Sequence, residues 1–120
     1  MEDNIGYRNL EVFKKADELV LLIYETTRNF PKEELFCLTS QIRRCAVSVP
    51  ANIVEGYGRK TSGEKTQFYY IARGSLNELE YYIDLCSKLN YLNNEDYKEL
   101  KELRDTVGRL LYGFIKSNNK

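Results

Sequence analysis

With 120 residues and no net charge, the chain suits a single domain and lacks the bulk charge that would attract nucleic acid or an anionic membrane. Histidine is absent, which excludes general-base chemistry by imidazole and the common histidine metal sites. The longest apolar stretch, residues 19–24, is far too short to span a bilayer, and the acidic residues 1–4 do not resemble a signal peptide. We therefore expect one cytoplasmic domain over residues 1–120, with no membrane partner.

The predicted elements are amphipathic helices, and no segment alternates in the manner of a β-strand. The first helix is predicted over residues 10–28, with Asn9 as its N-cap and Phe30-Pro31 as its end. Its apolar face recurs every three or four residues and consists of Phe13, Ala16, Leu19 or Val20, Ile23 and Thr27.

The second helix is predicted over residues 32–57 and contains Pro50 in its interior. An interior proline removes one backbone hydrogen bond, here to the Ala46 carbonyl, at a cost of about 3 kcal/mol. The apolar stripe nevertheless stays in phase across the proline, which favours one kinked helix over two separate ones. That stripe consists of Leu35, Leu38, Ile42, Cys45 or Ala46, Val49 and Ile53.

Two further helices follow, and each begins with a capping signal. Thr61 and Glu64 have capping-box spacing, and Asn93 and Asn94 supply the cap of the last helix. Short joints and three-four spacing throughout predict an all-α, up-down-up-down antiparallel four-helix bundle. The two apolar stripes consist of Phe68, Ala72, Ser75, Leu79, Tyr82 or Ile83, Cys86 and Leu89, and of Tyr97, Leu100, Leu103, Val107, Leu110 or Leu111 and Phe114.

The cysteines do not indicate a disulfide framework or a zinc site. Cys37, Cys45 and Cys86 are odd in number and lack a paired short spacing, so we predict buried thiols. Ten tyrosines without a tryptophan suit either a half-wet interface or the edge of a core.

A polar stripe runs beside the apolar stripe of the second helix. Its arginines, Arg44 or the adjacent Arg43, are expected to pair with Glu78 or Glu55, and Asn52 is expected to bond the Ala46 carbonyl. The alternative is a solvated face with ion pairs worth at most about 1 kcal/mol each. The stripe consists of Gln41, Arg44, Ser48, Asn52, Glu55 and Arg59, and faces Gln67, Gly74 and Glu78 of the third helix.

These residues carry a resemblance to a known family. The pattern QxRRxxxSxPxNIxEGxGR over residues 41–59, followed by GSLxEL from Gly74, closely resembles the bacterial 23S rRNA intervening-sequence proteins. The resemblance implies a helical bundle that assembles into a homo-oligomeric ring, pentameric where the architecture is known. Some members are encoded within insertions in ribosomal RNA genes, and a related branch is the accessory variability determinant of diversity-generating retroelements, which resembles a basic ring engaging nucleic acid.

Within this resemblance the motif is interpreted first as an assembly element. Pro50 would set a bend, Ser48 and Asn52 would satisfy polar groups there, and Gly74 would permit close helix packing. Ion pairs within or between subunits are favoured over phosphate contact because the chain is neutral. The assembly residues are Gln41, Arg44, Ser48, Pro50, Asn52, Glu55, Gly56, Gly74, Ser75 and Glu78; the candidate nucleic-acid contacts are Arg43, Arg44, Arg59, Lys60, Lys65 and Arg73.

Three functions stay open at this point. The first is an RNA or nucleoprotein accessory ring. The second is a protein-interaction scaffold that binds no nucleic acid and uses surface tyrosines such as Tyr69, Tyr70 and Tyr81. The least supported is an enzyme using Glu55 and Glu78 as acid and base. We predict no catalytic residue, metal, cofactor or small-molecule substrate.

Overall fold

The computed structural model describes residues 6–119, and the acidic residues 1–4 lie outside this range. Within it the secondary structure is helical without a strand, which confirms the all-α class. Two short 3-10 helices precede the first and second α-helices. The elements are the 3-10 helix Gly6–Asn9, α1 Glu11–Thr26, the 3-10 helix Lys32–Glu34, α2 Leu38–Tyr57, α3 Ser62–Lys88 and α4 Asn94–Asn118.

Two of the predicted helix starts are confirmed. Thr61 Oγ1 accepts a hydrogen bond from Glu64 N while the Glu64 carboxylate accepts from Thr61 N, which is the reciprocal capping box. Asn93 Oδ1 accepts from Asp96 N at 2.7 Å. Asn9 is not the cap of α1, because it ends a 3-10 helix and Leu10 occupies the cap position without a side-chain bond.

The predicted start of α2 at residue 32 is wrong, because the helix begins at Leu38. A separate 3-10 helix is formed at Lys32–Glu34, and the Glu34 carboxylate accepts from Leu38 N at 3.3 Å, so the helix starts at Leu38. Leu35 therefore lies outside α2 and is 48 % exposed rather than buried. Cys37 lies in the same connection and is exposed, so its predicted burial is also wrong, whereas Cys45 and Cys86 are buried.

The core follows the predicted stripes with small rotations. On α3 the buried positions include Tyr69 and Leu76, and Leu89 at the helix end is exposed. This shift arises because 3.6 residues per turn lets two adjacent positions compete for the core, and packing against α2 and α4 decides between them. The buried helix positions are Val12, Ala16, Leu19, Ile23, Thr39, Ile42, Cys45, Ala46, Val49, Pro50, Ile53, Gly56, Tyr69, Ala72, Leu76, Leu79, Ile83, Cys86, Leu100, Val107, Leu111 and Ile115.

Successive helices contact each other in opposite order along the chain, as antiparallel neighbours do, and α1 also packs against α4. For α1 and α2 the contacts lie at the ends of α1: Gly6, in the 3-10 helix before it, lies near Tyr57, and its C-cap Thr27 bonds Arg43. The contacts are Ser48 with Ser75 and Gly56 with Tyr69 for α2 and α3, and Ser62 with Asn118 and Asp84 with Lys101 for α3 and α4. Helix α2 is continuous through Pro50, and the bend there stays a prediction. None of the helices in residues 6–119 is both long and apolar enough to cross a bilayer.

Candidate assembly motif between the second and third helices

A short polar ladder joins the middle of α2 to α3. The Asn52 amide donates from Nδ2 to the Ser48 carbonyl at 2.8 Å and to Ser48 Oγ at 3.0 Å. Ser48 Oγ in turn shares a hydrogen bond of 2.7 Å with Ser75 Oγ. All three side chains are half-buried, so the ladder fixes the register of the two helices at one point.

The predicted bond from Asn52 to the Ala46 carbonyl is wrong. Asn52 follows Ser48 by four residues, one helical turn, so the two side chains lie on one face. Ala46 is six residues back and points to another side of the helix. The amide therefore serves Ser48 instead of the carbonyl that Pro50 deprives of its donor.

The Cys45 thiol adds a second link between the same helices. It donates to the Ser75 carbonyl at 3.0 Å and lies 3.6 Å from Glu78 Oε1. Burial, and after it the charge of Glu78, raises the pKa of Cys45 to about 12. Burial likewise raises the pKa of Cys86 to about 12. Both thiols stay protonated at neutral pH and serve packing rather than nucleophilic chemistry.

The closest backbone approach lies at Gly56, near the end of α2. A Cβ placed there would lie 2.7 Å from the Tyr69 ring and 2.9 Å from Phe68 Cβ. Gly74 is different, because a Cβ on it would meet no atom within 4 Å. The prediction that Gly74 permits close packing is therefore wrong within the chain, and its role between subunits stays a prediction.

The predicted ion pairs of Arg43 and Arg44 with Glu55 and Glu78 are not formed. Arg43 donates from Nε to Thr27 Oγ1 at 2.9 Å and stacks on the Tyr24 ring at 4.8 Å. Arg44 and Gln41 are exposed, and within residues 6–119 Arg44 makes no hydrogen bond or ion pair. Glu55 instead pairs at 2.7 Å with Arg59, which follows it by four residues just beyond the C-terminal end of α2.

The two carboxylates proposed for an enzyme lie apart. Glu78 is next to Cys45, whereas Glu55 follows Cys45 by ten residues on α2, which is about 15 Å along the helix. Their separation prevents a shared proton. In the part of the chain described, no three side chains of the metal-binding types are grouped for an ion.

The candidate nucleic-acid residues do not converge on one surface. Arg59, Lys60 and Lys65 lie around the α2–α3 turn, where Arg59 stacks on Phe68 at 4.6 Å and Lys65 donates to the Tyr57 carbonyl at 3.1 Å. Arg43 and Arg44 lie near the opposite end of α2, about 20 Å away. A basic residue on the middle of α3, Arg73, stacks on Tyr70 at 4.8 Å.

Sequence reasoning missed the ionic cluster between α3 and α4. Lys101 Nζ donates to Glu80 Oε2 at 2.9 Å and to Asp84 Oδ1 at 3.0 Å, and Tyr97 OH donates to Asp84 at 2.9 Å. Burial opposes the charge of Lys101, but its bonds to both carboxylates raise its pKa well above the usual range. Burial also opposes ionisation of Asp84, yet the Lys101 and Tyr97 bonds hold its pKa below the usual value. The four-residue spacings of Glu80 with Asp84 and Tyr97 with Lys101 were the available signal.

Comparison with known proteins agrees with the motif. The 23S rRNA-intervening sequence protein family matches residues 8–113. A crystal structure of a protein with unknown function from the S23 ribosomal protein family of Bacteroides thetaiotaomicron superposes with a TM-score of 0.78. It is 27% identical, and the alignment covers 88% of this chain and 98% of that one. None of the curated proteins matches significantly. The chain belongs to the 23S rRNA-intervening sequence protein family.

Proposed function

We propose that this protein is a non-enzymatic scaffold that assembles into a homo-oligomeric ring, pentameric as the family resemblance implies. The observation that carries the proposal is the amount of large apolar side chain left on the surface of one small chain. Phe36 is 89 % exposed, Tyr81 60 % and Ile71 51 %. Exposed apolar residues that cluster mark surfaces which another protein covers.

The clusters lie on two different parts of the bundle. One is an open groove of about 560 Å³ lined in part by Tyr24, Leu35, Phe36 and Val47. The other is the outward side of α3, where Tyr70, Ile71 and Tyr81 are exposed and Tyr69 is buried. Tyr70 and Tyr81 thus fit the surface role expected of them, and Tyr69 does not. Two unlike surfaces on one chain suit a head-to-tail contact, which closes into a ring when the rotation allows.

The chemistry of the described residues supports a structural role. The two buried thiols have raised pKa values and each lies within the core. Glu55, the carboxylate nearest the glycine-rich end of α2, is neutralised by Arg59. Neither a poised base nor an activated nucleophile is present at the motif.

The test is light scattering coupled to size exclusion, on protein purified without nuclease and recorded at two absorbance wavelengths. We expect a particle several times the 14.1 kDa of one chain, with the absorbance ratio of clean protein. A monomer at micromolar concentration would contradict the proposal. A particle carrying nucleic acid would favour the second candidate below.

An RNA or nucleoprotein accessory role is that second candidate, and a groove of about 510 Å³ between α3 and α4 favours it. Arg73, Arg104 and Arg109 line this groove with the exposed Tyr112, against the single carboxylate of Asp105. Arg104 bonds Asn77 and Asp105, whereas Arg73 and Arg109 have no carboxylate partner among the described residues. Arginines beside an aromatic ring suit phosphate contact and base stacking.

Titration of a labelled single-stranded RNA at two salt concentrations tests this role. Replacing Arg73 and Arg109 by glutamate should weaken binding at least tenfold and reduce its salt dependence, on the order expected for two lost phosphate contacts. The matched control replaces Arg28 and Lys32 by glutamate, two exposed residues beyond the far end of α1, which changes the net charge equally. Equal losses in both variants would indicate nonspecific attraction only.

A further inference from the structure

We propose that the ring contact is head-to-tail, with Phe36 of one copy packed against Gly74 of the next and Arg44 facing Glu78 across the contact. The inference rests on the proposed assembly and names its surfaces. The Phe36 patch consists of Tyr24, Leu35, Phe36 and Val47, with Arg44 beside it. The Gly74 patch consists of Tyr70, Ile71, Gly74 and Tyr81, with Glu78 among them.

Phe36 is a protruding side chain on a backbone that hydrogen bonds already hold in place. Its side chain is the most exposed of the large hydrophobic residues described, yet the connection that carries it is tied down. Cys37 N donates to the Glu34 carbonyl at 3.0 Å, and the Glu34 carboxylate accepts from Leu38 N and from Tyr91 OH. An apolar side chain held in place loses little conformational freedom when a partner covers it.

Gly74 leaves a depression on the exposed face of α3. It lies in the interior of α3, where glycine is less favourable than alanine, and no neighbouring atom in the chain explains the missing side chain. Tyr70 precedes it by one turn, Glu78 follows by one turn and Tyr81 by about two. All are exposed, so the glycine is a low point in an apolar face.

The two patches carry opposite charges, Arg44 and Glu78, and neither residue forms an ion pair within residues 6–119. Arg44 makes no ion pair or hydrogen bond within residues 6–119, and the Cys45 thiol at 3.6 Å is the only hydrogen-bond partner of the Glu78 carboxylate there. A contact that covers the apolar residues would desolvate both groups and strengthen their attraction. A two-fold contact would form the same pair twice and close at a dimer, whereas a head-to-tail contact leaves a patch open on each end and continues to a ring. A dimeric wild type would therefore contradict the head-to-tail contact.

Charge exchange between copies tests the contact. Arg44→Glu and Glu78→Arg should each weaken self-association by about tenfold or more, since like charges then face each other. Mixing the two variants should restore association between unlike copies, measured by light scattering and by co-elution of a tagged with an untagged chain. Arg44 and Glu78 lie on neighbouring helices, and a pair formed within one copy is not repaired by mixing, which separates the two explanations.

The packing of Phe36 against Gly74 is tested with matched variants. Gly74→Leu should weaken association, whereas Gly113→Leu should not, since a Cβ at either glycine meets no atom within 4 Å of the chain itself. Phe36→Ser should likewise weaken association, whereas Leu21→Ser, on an exposed site outside both patches, should not. Circular dichroism confirms that each variant is folded.

The outcomes separate this inference from the proposed function. If the wild type is oligomeric and all four patch variants still associate, the head-to-tail contact is wrong and the proposed assembly still stands. Variants that dissociate but fail to recover on mixing overturn the Arg44–Glu78 pairing between copies. Wild type that is monomeric overturns both proposals.

Discussion

The two long seams of α3 are held together by different chemistry. Toward α2 the contacts are short and neutral: the Ser48–Ser75 hydroxyl pair, the Asn52 amide and the close approach at Gly56. Toward α4 the middle of the seam is held by long charged side chains centred on Lys101, and neutral bonds of Ser62 and Thr66 with Asn118 lie at its end. In the neutral seam α2 and α3 must keep one relative position, because short side chains reach their partners only at one register.

The charged seam is more tolerant of position and more sensitive to solution conditions. Lysine and glutamate side chains span several ångströms with many rotamers, and their attraction is screened by salt. We therefore expect the neutral seam to respond to volume and shape, and the charged seam to pH and ionic strength. Four measurements, in order of decreasing effect, test this contrast.

Gly56→Ala should have the largest effect. Because the new Cβ would meet the Tyr69 ring at 2.7 Å and Phe68 Cβ at 2.9 Å, α2 and α3 must separate, at a cost of about 2 to 3 kcal/mol. Urea unfolding followed by circular dichroism measures the loss. Gly74→Ala is the control and should raise the stability of the monomer by about 1 kcal/mol, as an exposed helical site does. Equal effects at the two glycines would contradict the close approach.

Asn52→Leu should lower the unfolding free energy by about 2 kcal/mol, since it removes both bonds to Ser48 at a half-buried site. The same measurement on Gln41→Leu, an exposed position of the same polar stripe, should show a change within about 0.5 kcal/mol. An unchanged melting temperature and oligomer size for Asn52→Leu would show that the ladder does not hold the seam.

Lys101→Met should cost about 1 kcal/mol, because it removes the cation that Glu80 and Asp84 share and leaves Glu80 with only the longer Arg104 contact at 3.7 Å. The difference from wild type should shrink in high salt, which screens the charged seam. Asn52→Leu supplies the contrast, as its loss should be nearly independent of salt. A salt-independent loss for Lys101→Met would mean that the alkyl stem rather than the charge is important.

Acid should weaken only the charged seam. The folded-state pKa of Asp84 is lowered, so its stabilising effect is present above the unfolded-state pKa and is lost as the pH falls through the folded-state value. After solvent screening the loss should be below about 1 kcal/mol. Comparing the unfolding free energies of wild type and Asp84→Asn at neutral and acid pH isolates the contribution of Asp84. Parallel pH profiles of the two proteins would contradict it. The raised Lys101 pKa acts at the other end, where stability is lost only as the pH rises above the usual lysine range.

Much of the helical framework was predictable from local pattern. The caps at Thr61 and Asn93 depend on residues within one turn, and the confirmed buried positions such as Ile42, Ile53 and Val107 follow from helical periodicity. The start of α2 was not predictable in this way. It depends on the Glu34 carboxylate, which bonds both Leu38 N and the distant Tyr91 hydroxyl, a contact across 57 residues.

The candidate site was predictable only as a set of residues. Ser48 and Asn52 were expected to satisfy polar groups and do so, but the partner of Asn52 was wrong, and the bond from Ser48 to Ser75 was not expected. The predicted pairing of the arginines within one chain was also wrong, because Arg43 finds Thr27 and Tyr24 on α1, whereas pairing between subunits stays a prediction. Which neighbour a long side chain reaches depends on helix rotation, and several rotations suit the same stripe.

The sequence by itself determined four helical segments, their apolar faces, two capped starts and family membership, since each depends on residues close in the chain or on a long shared pattern. Only the tertiary structure decided that Gly56 rather than Gly74 is the close approach, and that the middle of α3 meets α2 through hydroxyls and α4 through charges. These features depend on the shift and rotation of one helix against another. A periodic stripe fixes which side of a helix faces inward, and leaves that shift and rotation to the packing of the core.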